Sequence, residues 1–287
     1  MHVTPVLAST RLSAAAETEV FFKCEGFQRS GAFKARGAVN AVLSTDAVHI
    51  ATHSSGNHGA AVAYAAQALG REATVVVPEG ASPFKLANIE RYGANIVGCG
   101  PTLAEREAAL SEVVARTGAA VVHPYDDDHV ILGQGSMALE LVTQVPDLDS
   151  IWLPMGGGGL AAGSVIAVAD QCAIVGAEPE LAGDAAIGLA NGVREPQMPP
   201  RTVADGLRTS LGERNFKVLH NYGLPVHLVS EAEIIAAQRL VMSCLKVLVE
   251  PSSAVPFAAL LKARPGGRVA VVLTGANLLN PEEEVGG

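Results

Sequence analysis

The sequence predicts an open α/β fold, and three observations carry that prediction. Short β-rich runs alternate with longer helical stretches almost to the end of the chain. The β-rich runs are continuously apolar rather than alternating, as parallel strands covered on both faces require. Several of them lead straight into a small-residue turn that opens a helix, the junction from which βαβ units are built.

In chain order, "EVFFKC" reads as a strand before a helix over about 31–43, and "HIATHS" as a strand before a helix beginning near Asn57. "ATVVVP", "NIVGC" and "AVVHP" follow as strands, separated by the helical "SPFKLANIERYG" and "TLAEREAALSEVVART". Later strands are "SIWLPM", "AIVGAEP", "PVHLVS" and "RVAVVLTG". The Pro-rich "REPQMPPRTVADG" (194–206) reads as an ordered crossing loop rather than a linker. No short-period repeat, low-complexity segment or charge block interrupts the pattern.

Composition narrows the function classes. A chain of 287 residues suffices for one large domain or two ordinary ones. Its 49% hydrophobic content is high, but no apolar run approaches the length of a membrane span. The net charge of −9 argues against nucleic acid or an anionic membrane as partner. The first twenty residues lack a basic flank before an apolar core, so no signal peptide is expected. Cys24, Cys99, Cys172 and Cys244 form no CxxC pair and read as buried thiols of a reducing compartment. The expectation is a cytoplasmic globular protein.

Within "FQRSGAFKARGAVNAV" (27–42), Lys34 sits among small and apolar residues. One reading is a surface lysine whose stem lies on the helix. The other is an amine kept reactive by apolar surroundings, able to form a Schiff base. "SSGNHG" (54–59) opens a helix after a strand, where free backbone N–H groups can hold a carboxylate, and Ser54, Ser55 and Asn57 add side-chain donors. An ordinary N-cap and turn would use any one of these residues.

"PMGGGGLAAG" (154–163) is the second such junction. Four consecutive glycines would cost roughly 0.5–1 kcal/mol each in regular structure, so something must approach that backbone closely. A phosphate cradled by successive N–H groups fits. Neither the spacing nor an acidic partner supports a dinucleotide fingerprint, and no GKS or GKT marks a P-loop. "GAEPELAGDAA" (176–186) holds Glu178 and Asp184, which together with a backbone carbonyl between them could hold a divalent ion or could be solvated surface groups. Thr274, in "AVVLTGANLL", ends an apolar strand where α/β ligands commonly bind.

Taken in this order, the motifs resemble the fold type II pyridoxal-phosphate enzymes, and among them the serine/threonine dehydratases with serine racemase and the hydroxyaspartate ammonia-lyases. The resemblance spans nearly the whole chain, from "TPV" to "LTGANL". It implies two interleaved open α/β domains with mainly parallel sheets, like the β subunit of tryptophan synthase. The large one would be 1–47 with 130–287, and the small one 48–129. "FQRSGAFKARGA" resembles the Schiff-base motif, making Lys34 the cofactor-bearing lysine and catalytic base. "SSGNHG" resembles the substrate-carboxylate loop, Ser54, Ser55, Gly56, Asn57 and His58, with Asn57 also on the cofactor ring oxygen. "GGGGL" resembles the phosphate cup, Gly156, Gly157, Gly158, Gly159 and Leu160. Thr274 falls where the family sets a hydroxyl or thiol against the pyridine nitrogen. Phe33, Gly206 and Glu250 complete the implied cofactor set. "EPELAGD" is similar to a divalent-cation site for Mg, Mn or Ca made by Glu178, the Ala182 carbonyl and Asp184.

The implied reaction is loss of water from a small L-hydroxy amino acid, serine, threonine or 3-hydroxyaspartate, giving a keto acid and ammonia. A neutral hydroxyl at Thr274 holds a protonated ring nitrogen less well than a carboxylate would, which favours elimination. Ser55 would be the proton donor on the face opposite Lys34. A homodimer is implied as well. The alternatives are an amino-acid racemase and a β-replacement transferase; "SGAFKARG" differs from the "TGSxKDR" pattern of the latter. Ala276 departs from the family's "SGGN", and Ala60 stands where the animal racemase contacts ATP through glutamine, so nucleotide activation is not expected. With so little sequence after "TGAN", neither a regulatory domain nor feedback by isoleucine is expected.

Overall fold

The computed structural model describes residues 1–54, 56–199 and 201–278. Among the described residues ten strands form two sheets. The six-stranded sheet is built from Val6–Ala8 (β1), Glu19–Cys24 (β2), Ser150–Pro154 (β7), Ala173–Pro179 (β8), Val226–Val229 (β9) and Arg268–Leu273 (β10), in the order β1-β2-β10-β7-β8-β9. Only β1 is antiparallel to its neighbour. The four-stranded sheet, all parallel, takes His49–His53 (β3), Glu72–Pro78 (β4), Asn95–Cys99 (β5) and Ala120–Val121 (β6), in the order β5-β4-β3-β6. The second sheet is thus inserted between two pieces of the first.

Eleven helices cover these sheets among the described residues: Thr10–Ala16 (α1), Lys34–Leu43 (α2), Asn57–Ala68 (α3), Pro83–Glu90 (α4), Leu103–Thr117 (α5), Asp128–Gln144 (α6), Gly159–Val168 (α7), Asp184–Asn191 (α8), Glu213–Tyr222 (α9), Glu231–Leu245 (α10) and Pro251–Ala263 (α11). The continuously apolar strands now have their reason. Val269, Val271 and Leu273 of β10 pack with α1, α10 and α11 on one face, while Ala270 and Val272 pack with α6 and α7 on the other. Likewise Ile50 faces α2 and α3, and Ala51 faces α5.

Three local departures from the sequence reading have physical causes. Helix α2 begins at Lys34 rather than near 31, because Ser30 (φ 58°) and Gly31 (φ 75°) are left-handed and cannot start a right-handed helix. The "AVVHP" strand shrinks to Ala120–Val121, since Nδ1 of His123 accepts the Tyr125 and Asp126 N–H groups and turns the chain away. The three-residue β1 lies in a segment too short for any periodicity to show.

Two features fix the helix that carries Lys34. Helix α6 lies between α2 and α7, with glycine at both crossings. A Cβ on Gly133 would stand 2.7 Å from the Gly37 Cα, and one on Gly163 would stand 2.3 Å from the Ile131 carbonyl oxygen. Two residues past Lys34, the Arg36 guanidinium grips buried Glu25 at 2.8 Å through both Nε and Nη2 and reaches Glu140 at 3.1 Å. Lys23, with 0% of its surface exposed, joins the same cluster through Glu140, the Thr4 carbonyl (2.9 Å) and Gln144 (2.6 Å).

Candidate active site

A cavity of about 250 Å³ lies where residues from the two sheets meet. Phe33, Lys34, Ser54, Gly56, Asn57, His58, Gly156 to Leu160, Gly206, Glu250 and Thr274 all line it. Ser55 lies outside the described residues. Glu178, Ala182 and Asp184 are elsewhere, at the end of β8 and the start of α8.

Lys34 reaches the cavity from the first turn of α2, its Nζ donating to the Pro124 carbonyl at 2.8 Å and standing 5.1 Å from the Phe33 ring centre. Burial, with no anionic partner, pulls its pKa down to about 8. Far more of the amine is therefore unprotonated near neutral pH than in an ordinary lysine, as a nucleophile or base needs.

Two helix N-termini open on this space. The first turn of α7 follows Gly158, and that of α3 follows Gly56; among the described residues neither has a side-chain cap, whereas Thr102, Asp127 and Ser230 cap α5, α6 and α10. Uncapped N–H groups with a positive helix end offer a site to an anion. Gly158 has φ 84°, and a Cβ on Gly157 would lie 2.2 Å from the Tyr125 ring, so side chains are excluded from this loop. Two anion sites in one cavity suit a ligand set carrying a phosphate and a carboxylate.

Between them the polar groups are ordered. Asn57 Nδ2 lies 3.0 and 3.2 Å from the two Glu250 oxygens, and Asn57 Oδ1 accepts from Asn277 Nδ2 at 2.7 Å. Burial raises the Glu250 carboxyl to about 7. Thr274 Oγ1 is 2.9 Å from Ser253 Oγ, a neutral partner. His58 places Nε2 3.1 Å from the Val122 carbonyl, and burial followed by the Lys34 charge holds it neutral, well below the ordinary histidine pKa.

Tyr125, Asn277, Ser253 and the ion pair of Lys85 with Asp205 at the cavity carry no sequence signal that marks them as site residues. Asn277 stood in the quoted "TGAN" stretch, and the apolar "HPY" run offered no polar pattern to notice.

A family profile described as pyridoxal-phosphate dependent enzyme matches residues 1–275. The chain belongs to this family. Among its relatives, a β-hydroxyaspartate dehydratase of Paracoccus denitrificans is 42% identical over 285 residues, covering 96% of this chain and 90% of that protein. A serine racemase of Arabidopsis thaliana is 41% identical, covering 97% of this chain and 88% of the relative. Maize serine racemase superposes with a TM-score of 0.95 at 37% identity, covering 99% of this chain and 91% of the other. A threonine deaminase of T.th. gives 0.92 at 41%, covering 98% and 94%. The fold expectation is met: this is the α/β architecture of the fold type II pyridoxal-phosphate enzymes.

The residues fit the cofactor of this pyridoxal-phosphate enzyme. A deprotonatable lysine, a glycine cradle with its N–H groups free and a buried hydroxyl at a strand end share one cavity. The residues of the cation expectation are buried carboxylates. Glu178 and Asp184 are only 1% and 3% exposed, and among the described residues neither forms an ion pair. Burial raises them to about 8 and 6. The Glu178 oxygens also accept the Ala185 and Ala186 N–H groups at 3.1 and 2.9 Å. Among the described residues no three His, Cys, Asp or Glu side chains converge on a metal position.

Proposed function

We propose that this enzyme removes water from a small L-hydroxy amino acid, serine, threonine or 3-hydroxyaspartate, and releases a keto acid and ammonia. The single observation that carries the reading is the cavity in which the Lys34 amine and the neutral Thr274 hydroxyl face the space bounded by two anion-binding helix starts. Bound there, the cofactor would supply an electron sink for the substrate's α-carbon. The Gly156–Gly159 backbone would hold its phosphate, Thr274 its ring nitrogen and Asn57 its ring oxygen. Phe33, Leu160, Gly206 and Glu250 would complete its walls.

The first turn of α3, with Ser54, Gly56, Asn57 and His58, would seat the substrate carboxylate. Lys34 Nζ, its pKa drawn down to about 8 by burial, would take the α-proton in its unprotonated form. Arg106 also borders the cavity and offers a cation to the second carboxylate of a hydroxyaspartate. The likeness to the dehydratase of Paracoccus denitrificans supports that member of the substrate class.

A second reading, interconversion of amino-acid enantiomers, draws support from the likeness to serine racemases. It needs a proton donor opposite Lys34, the role the family resemblance gives to Ser55. We read residues 48–129 as the smaller domain, and the Glu178, Ala182 and Asp184 cluster as a site for Mg, Mn or Ca.

Release of keto acid and ammonia from serine, threonine and both hydroxyaspartates, with chiral analysis of the remaining amino acid, separates the readings. Elimination predicts keto acid as the main product; isomerisation predicts the opposite enantiomer. Wild-type turnover by Lys34→Ala would overturn both.

A further inference from the structure

Asn215 lies in the first turn of α9, outside the cavity wall, with 0% of its surface exposed. Its Nδ2 donates to the Gly157 carbonyl at 2.6 Å and to the Tyr125 carbonyl at 2.9 Å. The opposite amide orientation would set Oδ1 against two carbonyl oxygens, so chemistry settles which atom is nitrogen. Oδ1 finds no partner among the described residues. A buried acceptor left unpaired is a cost that an apolar residue would avoid. What asparagine supplies here, and an apolar side chain does not, is the pair of donors.

Those donors act on a particular peptide. In a trans peptide the C=O and the following N–H point in opposite directions, and the described chain contains no cis bond. The Gly157 carbonyl is held away from the cavity by Asn215 and by the Gly212 N–H at 3.1 Å. The Gly158 N–H is thereby turned the other way. Gly158 adopts φ 84° to follow this path, and a Cβ there would stand 2.6 Å from Leu211. The start of α9 is itself pinned, because Asp126 accepts the Glu213 and Arg214 N–H groups at 3.1 and 2.9 Å. Residues 123–126, the glycine loop and α9 form one lock with Asn215 at its centre.

We propose that Asn215 is the positioning residue of the anion cradle, orienting the Gly157–Gly158 peptide so that the loop discriminates for the phosphate of its cofactor. This rests on the reading of Gly156–Gly159 as the phosphate site. The role differs from general structural support because it concerns the phosphate alone.

The test compares apoprotein of the wild type with Asn215→Ala and Asn215→Asp, which lack the two donors. Equilibrium dialysis measures affinity for pyridoxal phosphate, for pyridoxal without its phosphate, and for inorganic phosphate as a competitor of the former. The wild type is expected to prefer pyridoxal phosphate strongly and to show phosphate competition. In both variants the affinity for pyridoxal phosphate should fall by about tenfold or more, and that for pyridoxal by less than about threefold. If Asn215→Ala does not fold, Asn215→Ser, which retains one donor, reports the same ratio at an intermediate value. A variant that keeps the wild-type preference, or that loses both ligands equally, overturns the role of Asn215 alone. Absence of preference and of phosphate competition in the wild type overturns the reading of the cradle as well.

Discussion

The Glu250 carboxylate and the Asn57 amide meet across the cavity at 3.0 and 3.2 Å, joining the residue before α11 to the first residue of α3. The contact links the six-stranded sheet's side of the molecule to the four-stranded sheet's side at the site itself. Burial governs the charge state there, raising the Glu250 pKa to about 7 against the opposing Asn57 hydrogen bond.

A pH dependence follows, with a definite sign. A folded pKa above the unfolded value near 4.5 means that the folded state binds this proton more tightly. The resulting stability is complete below about 4.5 and is lost as pH rises through about 7. The loss amounts to on the order of 3 kcal/mol if the group ionises alone. In cofactor-free protein the melting temperature of the wild type should therefore fall relative to Glu250→Gln between pH 5 and 8. Parallel profiles for the two proteins would mean that Glu250 does not titrate there.

Lys34 titrates in the opposite sense. With its pKa drawn down to about 8, the amine becomes increasingly nucleophilic as pH rises through that value and changes little above it. The rate at which apoprotein captures added pyridoxal phosphate, followed by visible absorption, should rise with pH and level off above about 8. Lys34→Ala should give a colourless protein with no turnover. A capture rate that continues to climb to pH 10 would place the amine in an ordinary aqueous environment.

The Arg36 cluster bears on stability rather than chemistry. Removing the guanidinium leaves Glu25, fully buried, with only the Thr4 hydroxyl at 2.6 Å as a side-chain donor among the described residues. Breaking a buried pair costs about 3–5 kcal/mol, and the Lys23 cation in the same cluster offsets part of that. Arg36→Met should lower the urea midpoint accordingly. Adding Glu25→Gln should recover part of the loss, since neighbours in one network are not additive. Additive effects in denaturation curves would contradict the geometry.

How far the sequence reveals this site depends on whether a residue leaves a local pattern. Lys34, Asn57, Gly156 to Gly159 and Thr274 each stand at a strand-to-helix or strand-end junction. Small residues there depart visibly from the surrounding hydrophobic periodicity. Asn215, Ser253 and Arg36 leave no such trace, because their partners lie 58, 21 and 104 positions away in contacts only the folded chain creates. The strands were legible for the same reason as the loops: β10 is apolar at successive positions because both its faces are covered. The three-residue β1 and the early end of β6 were not, since turn geometry and pairing decide elements too short to show a period.

The buried carboxylates beside α8 give the last prediction. Glu178 and Asp184 have lost most of their hydration, and no basic side chain among the described residues pairs with them. Two neutralising agents are available, protons and a cation, and a divalent ion also suits the harder oxygen ligands that these groups and the Ala182 carbonyl would present. An ion that binds the folded state alone stabilises it by about 2.7 kcal/mol at a hundredfold excess over its dissociation constant. A chain of this size gains about 2–4 °C in melting temperature per kcal/mol. Adding Mg, Mn or Ca to chelator-treated protein should raise the melting temperature by several degrees on that scale. The increment should vanish in the double variant Glu178→Gln with Asp184→Asn, which keeps the shape of the site and removes its charge. The variant should also be less dependent on a cation than the stripped wild type, because its buried groups no longer need neutralising. If all three cations leave the wild-type melting temperature unmoved, protons and the α8 backbone N–H groups alone satisfy these carboxylates, and no cation belongs there.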